Sequence, residues 1–189
     1  VGRDHRVTDI VSGMVYNENL IGPSGLTTGP GGTVYVSDTD NHRVFSATQG
    51  IFQQMVDRNT TVYSGGTIAQ VRPESPTAIR SAPDGSLVIL FEGDQAVRRL
   101  DTRRTLTTVL NSGVVEGMTD LALDGEGRIY VVSPHMNQVF RVENETTVVP
   151  VAGTPSGEGL KGDGVSAIES GLSEPVAIDF DVLGRMFVA

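Results

Sequence analysis

Short apolar runs alternate with polar, glycine-rich punctuation along the whole chain. Val34-Tyr35-Val36, Leu87-Val88-Ile89-Leu90, Ile129-Tyr130-Val131-Val132 and Met186-Phe187-Val188 are the clearest. Each begins two residues after a glycine, at Gly32, Gly85, Gly127 and Gly184. β-Branched and aromatic residues dominate these runs, and no long stretch carries helical periodicity, so the pattern predicts strands. A second short run precedes each glycine: Leu26-Thr28, Ala78-Arg80, Leu121-Leu123 and Ala177-Asp179.

Aligned on these four glycines, the chain is a repeat. Pro23, Pro76, Met118 and Pro175 each stand nine residues before the anchor, and Val44, Val97 and Val139 stand twelve after it. The anchor spacings are 53, 42 and 57 residues. Within a copy, a tight turn ends in the glycine, where a positive φ is tolerated. A polar turn then leads to a third strand, such as Gln138-Val142. A hairpin at Glu143-Asn144-Glu145 leads to a fourth, from Thr146 to Ala152. Four short antiparallel strands per repeat describe a propeller blade, so the expected fold is an all-β propeller of four-stranded antiparallel blades. Blades are placed near 14–57, 68–113 and 114–152. An incomplete one lies at 172–189, and residues 1–13 are read as a strand of a preceding or closing blade. Three and a half blades do not make a ring. The expectation is therefore a piece of a longer propeller, the alternative being a small four-bladed ring closed by residues 5–11.

The repeat resembles the NHL-repeat β-propeller family. The residues that carry the resemblance are "YVSDTDNHRV" within Pro23 to Val44, Thr119 to Val142, and the glycine-rich, GDG-containing linker from Val151 to Pro175. The resemblance implies a ring of typically six blades. It also implies that Asp38 and Asn41 are recurrent turn residues, whose side chains accept from nearby backbone N–H groups. The copy around Gly85 departs from the pattern, with Phe91-Glu92-Gly93-Asp94 in place of the usual turn. Asp124 and Asp181 match the turn-forming acid before the anchor.

Composition narrows function. The 189 residues carry 23 acidic and 14 basic side chains, a net charge of −9, which is a poor match for nucleic acid. That balance argues against the RNA binding known for some NHL propellers. Arg98, Arg99, Arg103 and Arg104 form the one basic cluster and are read as a solvated hairpin tip. There is no cysteine, which excludes disulfides, thiolate nucleophiles and cysteine-based zinc sites. No apolar run reaches the roughly 18 residues of a membrane-spanning helix. Sequons at Asn59 and Asn144 are candidate glycosylation sites on expected turns. With the absence of a nuclear-type basic run, they point towards a secreted or lumenal setting.

Candidate chemistry gathers on the face bearing the turns between second and third strands. His42 and His135 fall in equivalent turns, and Asp40, Asp94 and Asp163 are expected on the same face. That mixture would suit a divalent cation, calcium or zinc, although no other cofactor is predicted. Some propeller enzymes with related repeats, lyases and lactonases among them, use such a metal near the axis. The same face, with Asp38, Asp40, Glu92, Asp94 and Asp163, would alternatively receive a basic protein partner or a glycan. Gly157-Glu-Gly-Leu-Lys-Gly162 matches a dinucleotide fingerprint only as a string, since it sits in a blade linker with Pro155 upstream and no helix downstream. No nucleophile elbow, H-E-x-x-H or phosphate loop occurs. The leading expectation is a non-catalytic interaction or scaffold module within a larger assembly. The alternative is a metal-dependent lyase or hydrolase.

Overall fold

The computed structural model describes residues 20–49, 51–159 and 164–189. The strand expected over 5–11 and the candidate Asp163 lie outside them. The first blade is β1 (Pro23–Thr28), β2 (Val34–Asp38), β3 (Arg43–Thr48) and β4 (Ile51–Val56), antiparallel and in chain order. The third blade, β11 (Asp120–Leu123), β12 (Ile129–Ser133), β13 (Gln138–Asn144) and β14 (Thr147–Ala152), repeats this order; a fourth sheet holds β15 (Ile178–Phe180) and β16 (Met186–Val188). The second blade, β7 (Pro76–Ser81), β8 (Leu87–Phe91), β9 (Ala96–Leu100) and β10 (Leu106–Leu110), carries an addition. A hairpin of β5 (Val62–Ser64) and β6 (Thr67–Ala69) attaches to its outer edge, β5 running parallel to β10 with Val62 opposite Leu106. Thr67–Ala69, placed by sequence at the start of the second blade, therefore ends up as its outermost strand.

The anchor glycines all have positive φ: 76° at Gly32, 81° at Gly85, 78° at Gly127 and 77° at Gly184. Alternation then decides which face each side chain covers. Leu87, Ile89 and Phe91 of β8 point to the first blade and pack with Val44, Val56, Ile79, Leu100 and Leu106. Val88 and Leu90 point the other way, to Val97, Leu110, Met118, Leu121, Ile129 and Val131. In β12, Tyr130 and Val132 take up the next interface, against Val139, Ala152 and Ile178. Inner blades are buried on both faces, which is why β8 and β12 read as continuous apolar runs. Each fully buried side chain of this size contributes about 1.5–3 kcal/mol.

The inner strands touch in succession, β1 with β7, β7 with β11 and β11 with β15, which defines the propeller axis. Polar stitches run between them. Ser24 and Thr119 both stand eight residues before their anchor. Each hydroxyl donates to the carbonyl at the same position of the next blade, Ser24 Oγ to Thr77 O at 3.3 Å and Thr119 Oγ1 to Val176 O at 2.9 Å. Asp120 accepts from Arg80 Nη2 of the preceding blade (3.0 Å) and from Ile178 N of the following one (3.1 Å). Gly25 permits the closest backbone approach, because a Cβ there would overlap the carbonyl of Thr77. At Gly127 a Cβ would meet nothing nearer than Pro83 at 3.5 Å, so only its φ is demanding.

Two glycines thus matter for different reasons. Gly25→Ala is expected to cost about 3 kcal/mol through overpacking between blades, whereas Gly127→Ala costs about 1 kcal/mol of backbone strain. Urea unfolding of both variants checks the order; equal losses would show that the axis tolerates a methyl group.

Candidate functional site

One face of the arc carries the turns between second and third strands together with the connections from one blade to the next. The first two of these turns are short 3₁₀ segments and the third is a hydrogen-bonded turn closed by Asn137 N on Pro134 O, and each is ended by a residue in the left-handed region: His42 (φ 55°), Gln95 (φ 46°) and Asn137 (φ 55°). All three stand ten residues after their anchor glycine, and all three do the same work. His42 Nδ1 accepts from Ser75 N at 2.9 Å, Gln95 Oε1 from Met118 N at 2.9 Å, and Asn137 Oδ1 from Glu174 N at 3.0 Å. Each donor lies just before the inner strand of the next blade. The side chain is therefore an inter-blade staple, and the left-handed backbone aims it there.

This arrangement locates the residues singled out by sequence. His42 uses Nδ1 for the staple, and its Nε2 lies 2.7 Å from Arg58 Nη2. Asp38, placed on a partner-binding face by sequence, is fully buried. It accepts from Ile21 N at 2.7 Å, Asn41 Nδ2 at 2.9 Å and Arg43 Nε at 2.7 Å, so it ties the turn to the preceding connection and to its own side chains, and makes no cap bond to the turn backbone. Asp94 is half-buried and bound to Arg98 at 2.5 Å. Asp40 and Glu92 are exposed, as is His135, whose ring packs over Gly117. His42 and His135 share equivalent turns but not equivalent positions, since His135 matches Asp40 and Gly93 in the repeat. Among the described residues, no three His, Asp or Glu side chains come together in a group able to hold a metal ion.

The basic cluster divides. Arg103 and Arg104 lie exposed in the turn between β9 and β10, and Arg99 pairs with Asp84 at 3.2 Å. Arg98 departs from the expected solvated tip: it is 2% exposed, 5.0 Å above the Phe91 ring, and its Nε and Nη1 have no partner. Its strand parity, shared with Ala96 and Leu100, was the available signal for burial. Arg58 and Glu74, 3.5 Å apart beside His42, carried no such signal, because only the folded connector brings them together.

Electrostatics of the turns are mostly structural. Burial raises the Asp124 carboxyl, but Arg128 and the N–H groups of Arg128 and Glu126 outweigh it and hold the group below 3.8. Asp181 is lowered by the backbone N–H and side chain of Arg185, Asp84 by Ser86, and Glu145 by Ser64 and the Gly65 N–H. Burial pushes Asp94 up despite Arg98.

Residues 20–45 match the NHL repeat family, across the first inner strand, the anchor and the turn containing Asp38 and His42. No curated protein matches the chain in sequence. Among solved structures the chain is similar to a streptogramin B lyase, at 15% identity and a TM-score of 0.62, over 92% of this chain and 64% of that one. It is also similar to a putative gluconolactonase, at 16% identity and a TM-score of 0.62, over 88% of this chain and 56% of that one. A gluconolactonase of Xanthomonas campestris aligns at 15% identity and a TM-score of 0.60, over 88% of this chain and 54% of that one. The likeness is one of fold, and the chain spans less than two thirds of each of these proteins. No described helix is long and apolar enough to cross a membrane.

Two outcomes follow from the staples and the carboxylates. Gln95→Ala leaves the N–H of fully buried Met118 without its acceptor and is expected to cost about 2 kcal/mol in urea unfolding; a loss within about 0.5 kcal/mol, as at an ordinary surface position, would remove the staple role. Stability carried by the lowered carboxylates is fully present above their ordinary values and is lost as pH falls through the depressed ones. The melting temperature should therefore fall below about pH 4. Asp124→Asn should be destabilised at pH 7 and approach the native protein only as pH falls through the depressed carboxyl value; melting curves that stay parallel throughout acidification would refute the assignment.

Proposed function

We propose that the chain is a non-catalytic interaction module whose turn-bearing face receives a basic segment of a protein partner. The observation that carries this reading is a division of labour on that face. His42, Gln95 and Asn137 are engaged in blade-to-blade bonds, while Asp40, Glu92 and Glu116 remain exposed. A rigid platform with outward carboxylates and a net charge of −9 suits electrostatic capture of lysine- and arginine-rich sequence. The NHL repeat at 20–45 supports a scaffold role equally well in a larger assembly.

A second reading is a metal-dependent lyase or lactonase with its site near the axis. It is favoured by the names of the similar solved structures and by the exposed imidazole of His135. Calorimetric titration with zinc and calcium separates the two: stoichiometric binding lost in His135→Ala supports the enzyme reading.

The interaction reading is tested with an arginine-rich peptide titrated onto the protein at low and moderate salt. Asp40→Lys combined with Glu92→Lys is expected to weaken binding at least tenfold, about 1.4 kcal/mol, with the native affinity itself falling as salt screens the face. Unchanged affinity in the double variant would overturn it.

A further inference from the structure

The two sequons are not equivalent in the folded protein, and the difference points to a modification site. Asn144 lies at the tip of the β13–β14 hairpin and is exposed. Its Oδ1 accepts from Thr146 N at 3.0 Å and from Thr146 Oγ1 at 3.2 Å. Acceptor asparagine and hydroxyl residue are therefore already joined in an Asx turn, with the amide oxygen occupied and the amide nitrogen presented at a convex tip. The middle residue fixes the tip to the neighbouring blade. The Glu145 carboxylate accepts from Ser64 Oγ and from Gly65 N at 2.8 Å, and its carbonyl accepts from Asn111 N at 2.8 Å. Asn144 is thus held outward on a braced hairpin. It also borders a groove of about 350 Å³ lined by Thr108, Gly127, Arg128 and Arg141, which leaves room beside it.

Asn59 is also exposed, but its sequon is committed elsewhere. Asp57 organises the turn: its Oδ1 accepts from Asn59 N at 2.8 Å and Thr60 Oγ1 at 3.1 Å, its N–H donates to Thr60 Oγ1 at 2.9 Å, and its carbonyl accepts from Thr60 N at 3.1 Å. Asn59 N and Thr60 are thus tied to Asp57, and Thr61 runs straight into β5, a strand paired on both sides, with no bond joining it to the Asn59 side chain as Thr146 is joined to Asn144.

We propose that Asn144 is an N-glycan acceptor of the folded protein and that Asn59 is not. The donor is a polyprenyl-diphosphate-linked oligosaccharide. A bond forms between Asn144 Nδ2 and the anomeric carbon, the bond from that carbon to the diphosphate oxygen breaks, the lipid diphosphate leaves, and the transferase takes the amide proton.

The test compares folded and urea-unfolded protein as acceptors for a single-subunit oligosaccharyltransferase of N-x-Thr specificity, assayed after dilution to an equal, tolerated urea concentration. Occupancy is read at each site by peptide mass spectrometry. Folded protein is expected to gain a single glycan, at Asn144, lost in Asn144→Gln and in Thr146→Ala. Unfolded protein is expected to gain glycan at both sites. Circular dichroism of the variants checks that loss of modification is not loss of fold, and retained modification in a folded Asn59→Gln variant supplies the positive control. Equal occupancy of Asn59 and Asn144 in the folded protein would overturn the proposal, as would an unmodified Asn144 in folded protein whose unfolded form is modified.

Discussion

A blade in this chain has two apolar faces and no means of covering either by itself. Each face is hidden only by the next blade arriving at a fixed angle, so the joints between blades are the constraint on which everything else rests. Leu87, Ile89 and Phe91 commit one side of β8 to the first blade, while Val88 and Leu90 commit the other side to the third. Apolar contact has little direction of its own. The direction comes from polar contacts near the axis and on the turn-bearing face: the Ser24 and Thr119 hydroxyls, the Asp120 carboxylate shared among three inner strands, and the left-handed staples at His42, Gln95 and Asn137. These bonds are modest singly, about 1 kcal/mol each. The staples recur at all three joints, ten residues after each anchor, whereas the hydroxyl stitch skips the second joint, where the equivalent Thr77 hydroxyl has no partner and the Asp120–Arg80 pair stands instead.

Much of this order was legible beforehand. The anchor glycines, the strands beside them and the alternation that buries both faces all follow from local steric rules and period-two patterning, which need no knowledge of distant residues. What was not legible depended on distant partners. The Val62–Ser64 and Thr67–Ala69 hairpin pairs with Leu106 and Thr107 more than forty residues away, and no local feature selects that edge. The charge of Arg98 favours solvent, but its strand parity with Ala96 and Leu100 turns it inward. His42 looked like a metal ligand because imidazole is chemically versatile; its Nδ1 instead faces a backbone N–H supplied by Ser75. Asp38, expected on an open face, is buried because Ile21, Asn41 and Arg43 all close on its carboxylate.

Repetition also separates architecture from chemistry on the candidate face. Residues that do the same thing in successive blades, the staples here and the Asp124–Arg128 and Asp181–Arg185 turns at the opposite end of the strands, serve the fold. What varies from blade to blade has no shared part in the fold: the Asp40 carboxylate, the Glu92 carboxylate and the His135 imidazole occupy successive turns without a common role. That variation, rather than any clustered constellation, is the physical basis for reading the face as a binding surface.

The outer rim has a further consequence. A sheet edge with free N–H and C=O groups is a template for pairing with another chain. The second blade ends in β6, a strand of only three residues, and the third ends in β14, where Pro150 removes a donor. The first blade ends in β4, six residues without proline, carrying Ile51 at 72% exposure. Two of the three complete blades are therefore guarded against intermolecular β-pairing, and among these described outer edges β4 alone carries neither device.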